Sequence, residues 1–236
     1  MLTVHHLNCS QSERIVWLCE ELDLNYNLVH HYRDPILSPA SLKDLPGNLT
    51  GSAPFIEDDD PTAGKKVAIG ESGAIVEYII HKHGAGRFAL KSNDPLYADY
   101  LYWFHFANAG LQASMNRTMM IAFANLPPDS PVGKIFEQRH ASVLRQVDNR
   151  LKDHKYLVGD ELTSADIMSV YSLSTQRYWS PHDLSDYPNI VRWLQTCGDR
   201  EGYKRAAEKG DPGLERLLGA KAPEKSGMEL GKAPNA

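Results

Sequence analysis

The spacing of apolar residues changes character partway along the chain. Near the start, Leu2, Val4 and His6 alternate with Thr3, His5 and Leu7, which predicts a strand. Ile15, Leu18, Cys19 and Leu22 then recur at helical spacing and predict an amphipathic helix over 12–23. Tyr26 to Tyr32 reads as a second strand, so the first unit is βαβ with a right-handed crossover. Pro39 to Leu45 predicts a short helix, and Gly51-Ser52-Ala53-Pro54-Phe55-Ile56 leads into a third strand. Asp58 to Gly64 reads as a hairpin turn, Lys66 to Ile69 as a fourth strand, and Ser72 to His83 as a helix with Ile75, Val76, Ile79 and Ile80 on its apolar side. The element order over the first 84 residues is therefore βαβ followed by ββα.

Beyond a glycine-containing linker the alternation disappears and helical spacing takes over. Asp94-Pro95 and Ser130-Pro131 each place a capping side chain before a proline, predicting long helices over about 95–125 and 131–153. Thr163-Ser164-Ala165-Asp166 predicts a capping box for a third helix, and Pro188 opens a fourth. The expected division is an α/β domain over 1–84, a linker over 85–93, an all-helical domain over 94–218 and a mobile tail over 219–236.

Composition narrows the chemistry. Of the 236 residues, 42% are hydrophobic and 23% charged, the range of folded proteins in water, and no apolar run approaches the ~20 residues of a membrane span. The net charge of -5 with scattered basic residues leaves no electrostatic footprint for nucleic acid or anionic lipid, so small molecules are the expected ligands. Three cysteines without a CxxC pair suggest reduced thiols, and the alternating start lacks the pattern of a secretory signal; a cytoplasmic location is expected. There is no HExxH, GxSxG or GxGxxG, and His81-Lys82-His83 lies at a helix end, so no metal is expected.

Three stretches carry candidate chemistry. Asn8-Cys9-Ser10-Gln11-Ser12-Glu13-Arg14 stands where the first strand enters the first helix. Unpaired N–H groups and a partial positive charge there suit a thiolate, while Ser10 with Glu13 equally fits a capping box. Glu71-Ser72 stands at a second helix start, where a hydroxyl and free N–H groups hold a carboxylate and Glu71 accepts an ammonium; Ser72 equally reads as a cap. Ala53-Pro54 lies between a turn and a strand, where a cis bond would leave the Ala53 backbone open to an extended peptide.

Taken together, these stretches resemble the glutathione S-transferase family. Residues 4–22 are similar to its bacterial and fungal branch with an S-R-S-x-R-x-x-W-L-x-E-E-L start, and Glu71-Ser72-Gly73-Ala74-Ile75 to its E-S-x-A-I signature. Gly51 to Ile56 resembles the turn before the family's cis proline, and Leu157 to Ile167 the capping motif of its helical domain. The resemblance implies a thioredoxin-like α/β domain with a mixed sheet, an all-α domain, glutathione as cosubstrate, a homodimer, and attack of the activated thiol on a small hydrophobic electrophile. It implies catalytic roles at Ser10 or Cys9, and glutathione binding by Gln11, Ser52, Ala53, Pro54, Glu71 and Ser72. Gln11 replaces the usual arginine and Ser52 a frequent lysine, which removes cationic partners of the glycyl carboxylate. The acceptor pocket is expected on the helix over 95–125, where Tyr102, Phe106, Asn116, Arg117 and Met120 fall near one face. A glutathione-dependent double-bond isomerase acting on a natural product and a non-catalytic ligand- or partner-binding module are the alternatives.

Overall fold

The computed structural model describes residues 1–60, 64–127 and 129–230. Strands β1 (Leu2–Leu7), β2 (Asn27–His31), β3 (Phe55–Asp60) and β4 (Lys65–Gly70) form one mixed sheet in the order β2-β1-β3-β4. β1 runs parallel to β2 and antiparallel to β3, and β3 runs antiparallel to β4. Helices α1 (Glu13–Glu21), α2 (Ala40–Lys43) and α3 (Ser72–Lys82) complete the expected βαβ-ββα order. The strands of the β3–β4 hairpin run longer than the sequence pattern predicts; the expected turn at 61–63 lies outside the described residues.

Contacts divide the chain into two compact units, and the division differs from the sequence expectation. The first contains Met1–Phe88, Asp199–Arg216 and the described residues from Lys225 on. Residues 199–216 return to it because helix α9 (Glu201–Gly210) packs along the polar side of α1. Ile15, Leu18 and Cys19 of α1 are buried as predicted, and so are Trp17, Glu20 and Glu21. Trp17 meets Tyr203 edge-on with centroids 5.1 Å apart. Glu21 accepts from Trp17 Nε1 at 2.9 Å and from Arg200 Nε and Nη2 at 2.8 and 2.7 Å. Glu20 accepts from Arg205 Nε at 3.0 Å, Lys209 Nζ at 2.6 Å and the Tyr26 hydroxyl at 2.8 Å. Burial pushes the Glu20 carboxyl up, but these donors outweigh it and hold the group below its ordinary value.

The second unit, Ala89–Gly198 with Leu217–Glu224, is helical. The long helix expected over 95–125 is α4 (Tyr97–Phe106) and α5 (Ala113–Phe123) joined by a π-helical segment, Ala107–Gln112. At Gly110 the Phe106 ring occupies the space a side chain would need, with ring carbons 2.4 Å from where a Cβ would sit. Helix α6 (Pro131–Lys152) starts where predicted, with Ser130 Oγ accepting from Gly133 N at 3.3 Å. Helix α7 (Ser164–Leu173) has all ten residues buried. Its predicted capping box is present, and Asp166 accepts from Thr163 N (3.0 Å), Thr163 Oγ1 (3.1 Å), Leu157 N (2.8 Å) and Trp193 Nε1 (2.9 Å).

Helix α8 (Pro188–Gly198) closes the helical run, and a short α10 (Gly227–Leu230) follows in the first unit. The segment expected to be a mobile tail is held where described: the guanidinium of Arg177 donates to the carbonyls of Leu217, Gly219, Ala220 and Lys221. Asn8 Nδ2 donates to Leu230 O at 3.4 Å. Among the described residues no helix is long and apolar enough to cross a membrane, and no group of three metal-ligating side chains occurs.

Candidate functional site

Three chain reversals of the first unit supply the candidate site. At the end of β1 the backbone turns through Cys9 with φ at 49°, and Asn8 N donates to His31 O at 3.0 Å. The positive φ is held from both sides of the residue. Cys9 N donates to Asp211 Oδ1 at 2.9 Å, and Arg33 Nη2 donates to Cys9 O at 3.2 Å. The next residue, Ser10, begins the approach to α1. The capping box between Ser10 and Glu13 is not the arrangement adopted: the residue preceding the helix is Ser12, and Ser10 Oγ accepts from Ser12 N at 3.3 Å.

Ser12, which precedes α1, is the junction of a buried polar chain. Its Oγ accepts from Leu7 N at 3.1 Å and lies 2.8 Å from Ser10 Oγ, 2.9 Å from His6 Nδ1 and 3.2 Å from Leu7 O. His6 is fully buried, and its Nε2 meets Asp211 Oδ2 at 3.2 Å. Burial pushes the Asp211 carboxyl up. The hydrogen bond from His6, the charge that imidazole carries when protonated and the Cys9 N–H together outweigh it, so the carboxyl is held below its ordinary range.

The second reversal is the cis bond between Ala53 and Pro54. Ala53 and Phe55 are buried with Leu7 and Leu42, and Asn48 Nδ2 donates to Ser52 O at 3.2 Å and Leu42 O at 3.0 Å. The Ser52 hydroxyl lies 2.7 Å from Thr50 Oγ1. Gln11 Nε2 donates to Ala53 O at 3.0 Å, which brings the α1 approach and the proline turn together.

At the third reversal Glu71, exposed and with φ at 70°, precedes α3, and the buried Ser72 is the first helical residue. A non-glycine residue there carries backbone strain of order ~1–3 kcal/mol. Arg14, fully buried in α1, ties this end to the first: its Nη1 donates to Gln11 Oε1 at 3.1 Å and to Ser72 Oγ at 3.4 Å. Ala53, Gln11, Arg14 and Ser72 thus form one linked series, and Ser10 stands next to it in the chain. A basic residue in an apolar helix pattern is the signal that marks Arg14 in the sequence. His6 and Asp211 lie 205 positions apart and leave no such signal.

The residues expected to line an acceptor pocket belong to the second unit. Tyr102, Asn116, Arg117 and Met120 are exposed and Phe106 is half-buried. The rings of Tyr102 and Phe106 stack with centroids 5.6 Å apart, and Gln146 Nε2 donates to the Tyr102 hydroxyl. Asn116 Oδ1 accepts from Gln176 Nε2 at 2.8 Å. The π segment separates Tyr102 and Phe106 from Asn116, Arg117 and Met120, so the single face counted on a 3.6-residue period is not carried across it.

This geometry can be set beside known proteins. Residues 8–82 match the profile described as glutathione S-transferase, N-terminal domain, and residues 113–201 the profile described as glutathione S-transferase, C-terminal domain. Glutathione S-transferase 1 of Saccharomyces cerevisiae is 30% identical over 231 residues, covering 89% of this chain and 95% of that protein. Glutathione S-transferase 3 of Schizosaccharomyces pombe is 28% identical over 223 residues, covering 89% and 88%. The crystal structure of a glutathione S-transferase from Actinobacillus pleuropneumoniae superposes with a TM-score of 0.79 at 26% identity, covering 91% of this chain and 95% of that one. Two matched domain profiles, full-length fungal relatives and a shared fold agree with the mixed sheet, the cis proline turn and the helical second unit: the chain belongs to the glutathione S-transferase family, with its thioredoxin-like fold.

Proposed function

We propose that this protein binds glutathione in its first unit and activates the thiol for attack on a small hydrophobic electrophile. The observation that carries the reading is the single hydrogen-bonded series joining the proline turn, the α1 approach and the start of α3 through Ala53, Gln11, Arg14 and Ser72. Ser72 and the first N–H groups of α3 suit the γ-glutamyl carboxylate, and Glu71, held outward in a strained conformation, suits its ammonium. The Ala53 N–H has no hydrogen-bond partner among the described residues, and it suits the cysteinyl carbonyl. Ala53 O already accepts from Gln11 and keeps a second lone pair for the cysteinyl N–H.

Ser10 is the activating hydroxyl in this reading, and Cys9 is not. The Ser10 side chain ends a polar chain that leads through Ser12 to the His6–Asp211 pair. Lowering a thiol from near ~8.5 by about two units needs roughly 3 kcal/mol of preferential thiolate stabilisation, within reach of a helix end plus a hydroxyl hydrogen bond. Tyr102, Phe106, Asn116, Arg117 and Met120 are proposed to receive the acceptor. A homodimer, a cytoplasmic setting and a role in detoxification or secondary metabolism belong to the same reading. Calorimetric titration with glutathione, following thiolate absorbance, tests it. Binding with thiolate formation lost in Ser10→Ala and kept in Cys9→Ala is expected. Binding that leaves the thiol protonated would refute activation and move the reading to a ligand-binding module. Interconversion of substrate isomers without glutathione consumption would identify the isomerase.

A further inference from the structure

The polar chain Ser10, Ser12, His6, Asp211 has a property that follows from counting protons. A hydroxyl has one proton and two lone pairs, so Ser12 Oγ makes three hydrogen bonds at most. Leu7 N always takes one lone pair. Leu7 O, 3.2 Å from Ser12 Oγ, competes for the single Ser12 proton; with that proton directed along the chain to its other neighbours, two arrangements remain. With Asp211 ionised and the His6 proton on Nε2, Nδ1 is an acceptor; Ser12 O–H donates to it, and Ser10 O–H donates to Ser12 Oγ. Ser10, which also accepts from Ser12 N, then has one lone pair that the chain does not use. With His6 doubly protonated the two bonds between His6, Ser12 and Ser10 reverse: Nδ1–H donates to Ser12, Ser12 O–H donates to Ser10, and the Ser10 proton is left for a partner outside the chain.

The first arrangement accepts a proton at Ser10, and the second offers a hydrogen bond to an anion there. The difference between them is one proton, which resides on His6 beside the Asp211 carboxylate. We propose that His6, backed by Asp211, takes up the proton of the glutathione thiol through Ser10 and Ser12, so that the thiol ionises without releasing a proton to solvent. This rests on the reading of Ser10 as the hydroxyl next to the thiol. In balance, the S–H bond breaks and an O–H bond forms at Ser10. The Ser10 proton passes to Ser12, the Ser12 proton passes to His6 Nδ1, and no other group gains or loses charge. His6 and Asp211 are positioning residues here, acting through the two serines.

The surroundings of His6 suit the role. Gly210, at the end of α9, lies against the ring, where a Cβ would come within 3.3 Å of it, and Asp211 follows directly. The other ring facing His6 is His30 of β2, edge-on with centroids 5.8 Å apart. Burial and repulsion from His6 keep the His30 ring below its ordinary range, against the attraction of Asp211, so it opposes charge on His6 only weakly near neutral pH.

The test measures protons and thiolate separately. Glutathione is titrated into the protein at about pH 8, above the ordinary histidine range near ~6.5. Thiolate is read by absorbance, and proton release by binding heat in two buffers of different ionisation enthalpy. Near zero protons released per thiolate formed is expected. In Asp211→Asn, the Cys9 N–H keeps the amide oxygen as its acceptor, so the amide N–H turns to His6 Nε2 and fixes the ring proton on Nδ1. His6 then has no place for the thiol proton, and release rises to near one per thiolate. Nitrogen-15 spectra of the ring give a second readout: His6 Nδ1 is unprotonated before glutathione is added and protonated after.

One proton released per thiolate in the parent, or Nδ1 already protonated without ligand, overturns the inference. Ser10→Ala separates this from failure of the underlying reading. If thiolate disappears in Ser10→Ala while Asp211→Asn leaves the proton count unchanged, only the His6 role is wrong. Unchanged thiolate in Ser10→Ala, or no binding heat in the parent, removes both.

Discussion

Replacing Arg177 with methionine tests how the C-terminal segment of the second unit is held. The Arg177 side chain is fully buried. Its Nε and Nη2 donate to His182 O at 3.2 and 3.1 Å, and Nη1 and Nη2 to Gly219 O and Ala220 O, each at 2.8 Å. Further bonds reach Leu217 O and Lys221 O. All the acceptors are neutral carbonyls, and burial pulls the guanidinium pKa down against the attraction of Asp183. Hydrogen bonds to a charged group are worth about 1.5–3 kcal/mol each, so three well-placed ones supply roughly 5–9 kcal/mol. Several kcal/mol of that offsets removing the cation from water. Methionine fills the volume without the desolvation cost, leaving a net loss of about 2–4 kcal/mol. With a urea slope near ~3 kcal/mol/M the unfolding midpoint falls by roughly 1 M. Residues 217–224 detach first, so trypsin cleaves at the exposed Lys221 before the rest of the chain. An unchanged midpoint together with unchanged cleavage at Lys221 would refute the argument.

Acid titration should report on the sheet. His31 Nε2 meets His5 Nδ1 at 3.0 Å, its Nδ1 meets Ser41 Oγ at 2.9 Å, and burial with repulsion from His5, His6 and His30 pushes its pKa down to about 4. A depressed folded-state pKa means the contribution is complete above about pH 6.5 and is lost as pH falls toward 4, by about 1–3 kcal/mol. Urea midpoints between these limits should show this slope, and His31→Gln should flatten it. Asp166→Ala strands four donors and should cost about 3–5 kcal/mol in a denaturation curve; a change under ~1 kcal/mol would show that they find other acceptors. On the proposed reading, Ser72→Ala should weaken glutathione binding about tenfold by calorimetry with little change in the bound thiol's ionisation, and an unchanged Kd would remove Ser72 from the site.

Much of the fold was legible because local signals and burial agreed. The alternation at Leu2–Leu7, the Pro-led starts of α6 and α8 and the Thr163 capping box each state a local preference that the tertiary structure keeps. Other features depend on partners distant in the chain. Nothing near Glu20 or Glu21 says that two acidic residues on the polar side of α1 are buried; that follows from Arg200, Arg205 and Lys209 on α9. The π segment, where the Phe106 ring lies against Gly110, is a packing detail invisible to a 3.6-residue count. In the candidate site, Ser10, Ala53, Glu71 and Ser72 were readable from turns and helix starts. Asp211 was not, because its meaning comes from the Cys9 N–H and His6, which β1 brings to it.

The return of residues 199–216 to the first unit sets an order of events during synthesis. When α3 has left the ribosome, all four strands and α1 are available, but Glu20 and Glu21 lack their arginine and lysine partners and His6 lacks Asp211. At about 5–20 residues per second, those partners emerge roughly 6–26 s later. Until then the nascent α1 presents an acidic, tryptophan-bearing flank to the cell. A chaperone that recognises such a flank would have its opportunity in that interval and would be displaced when α9 arrives.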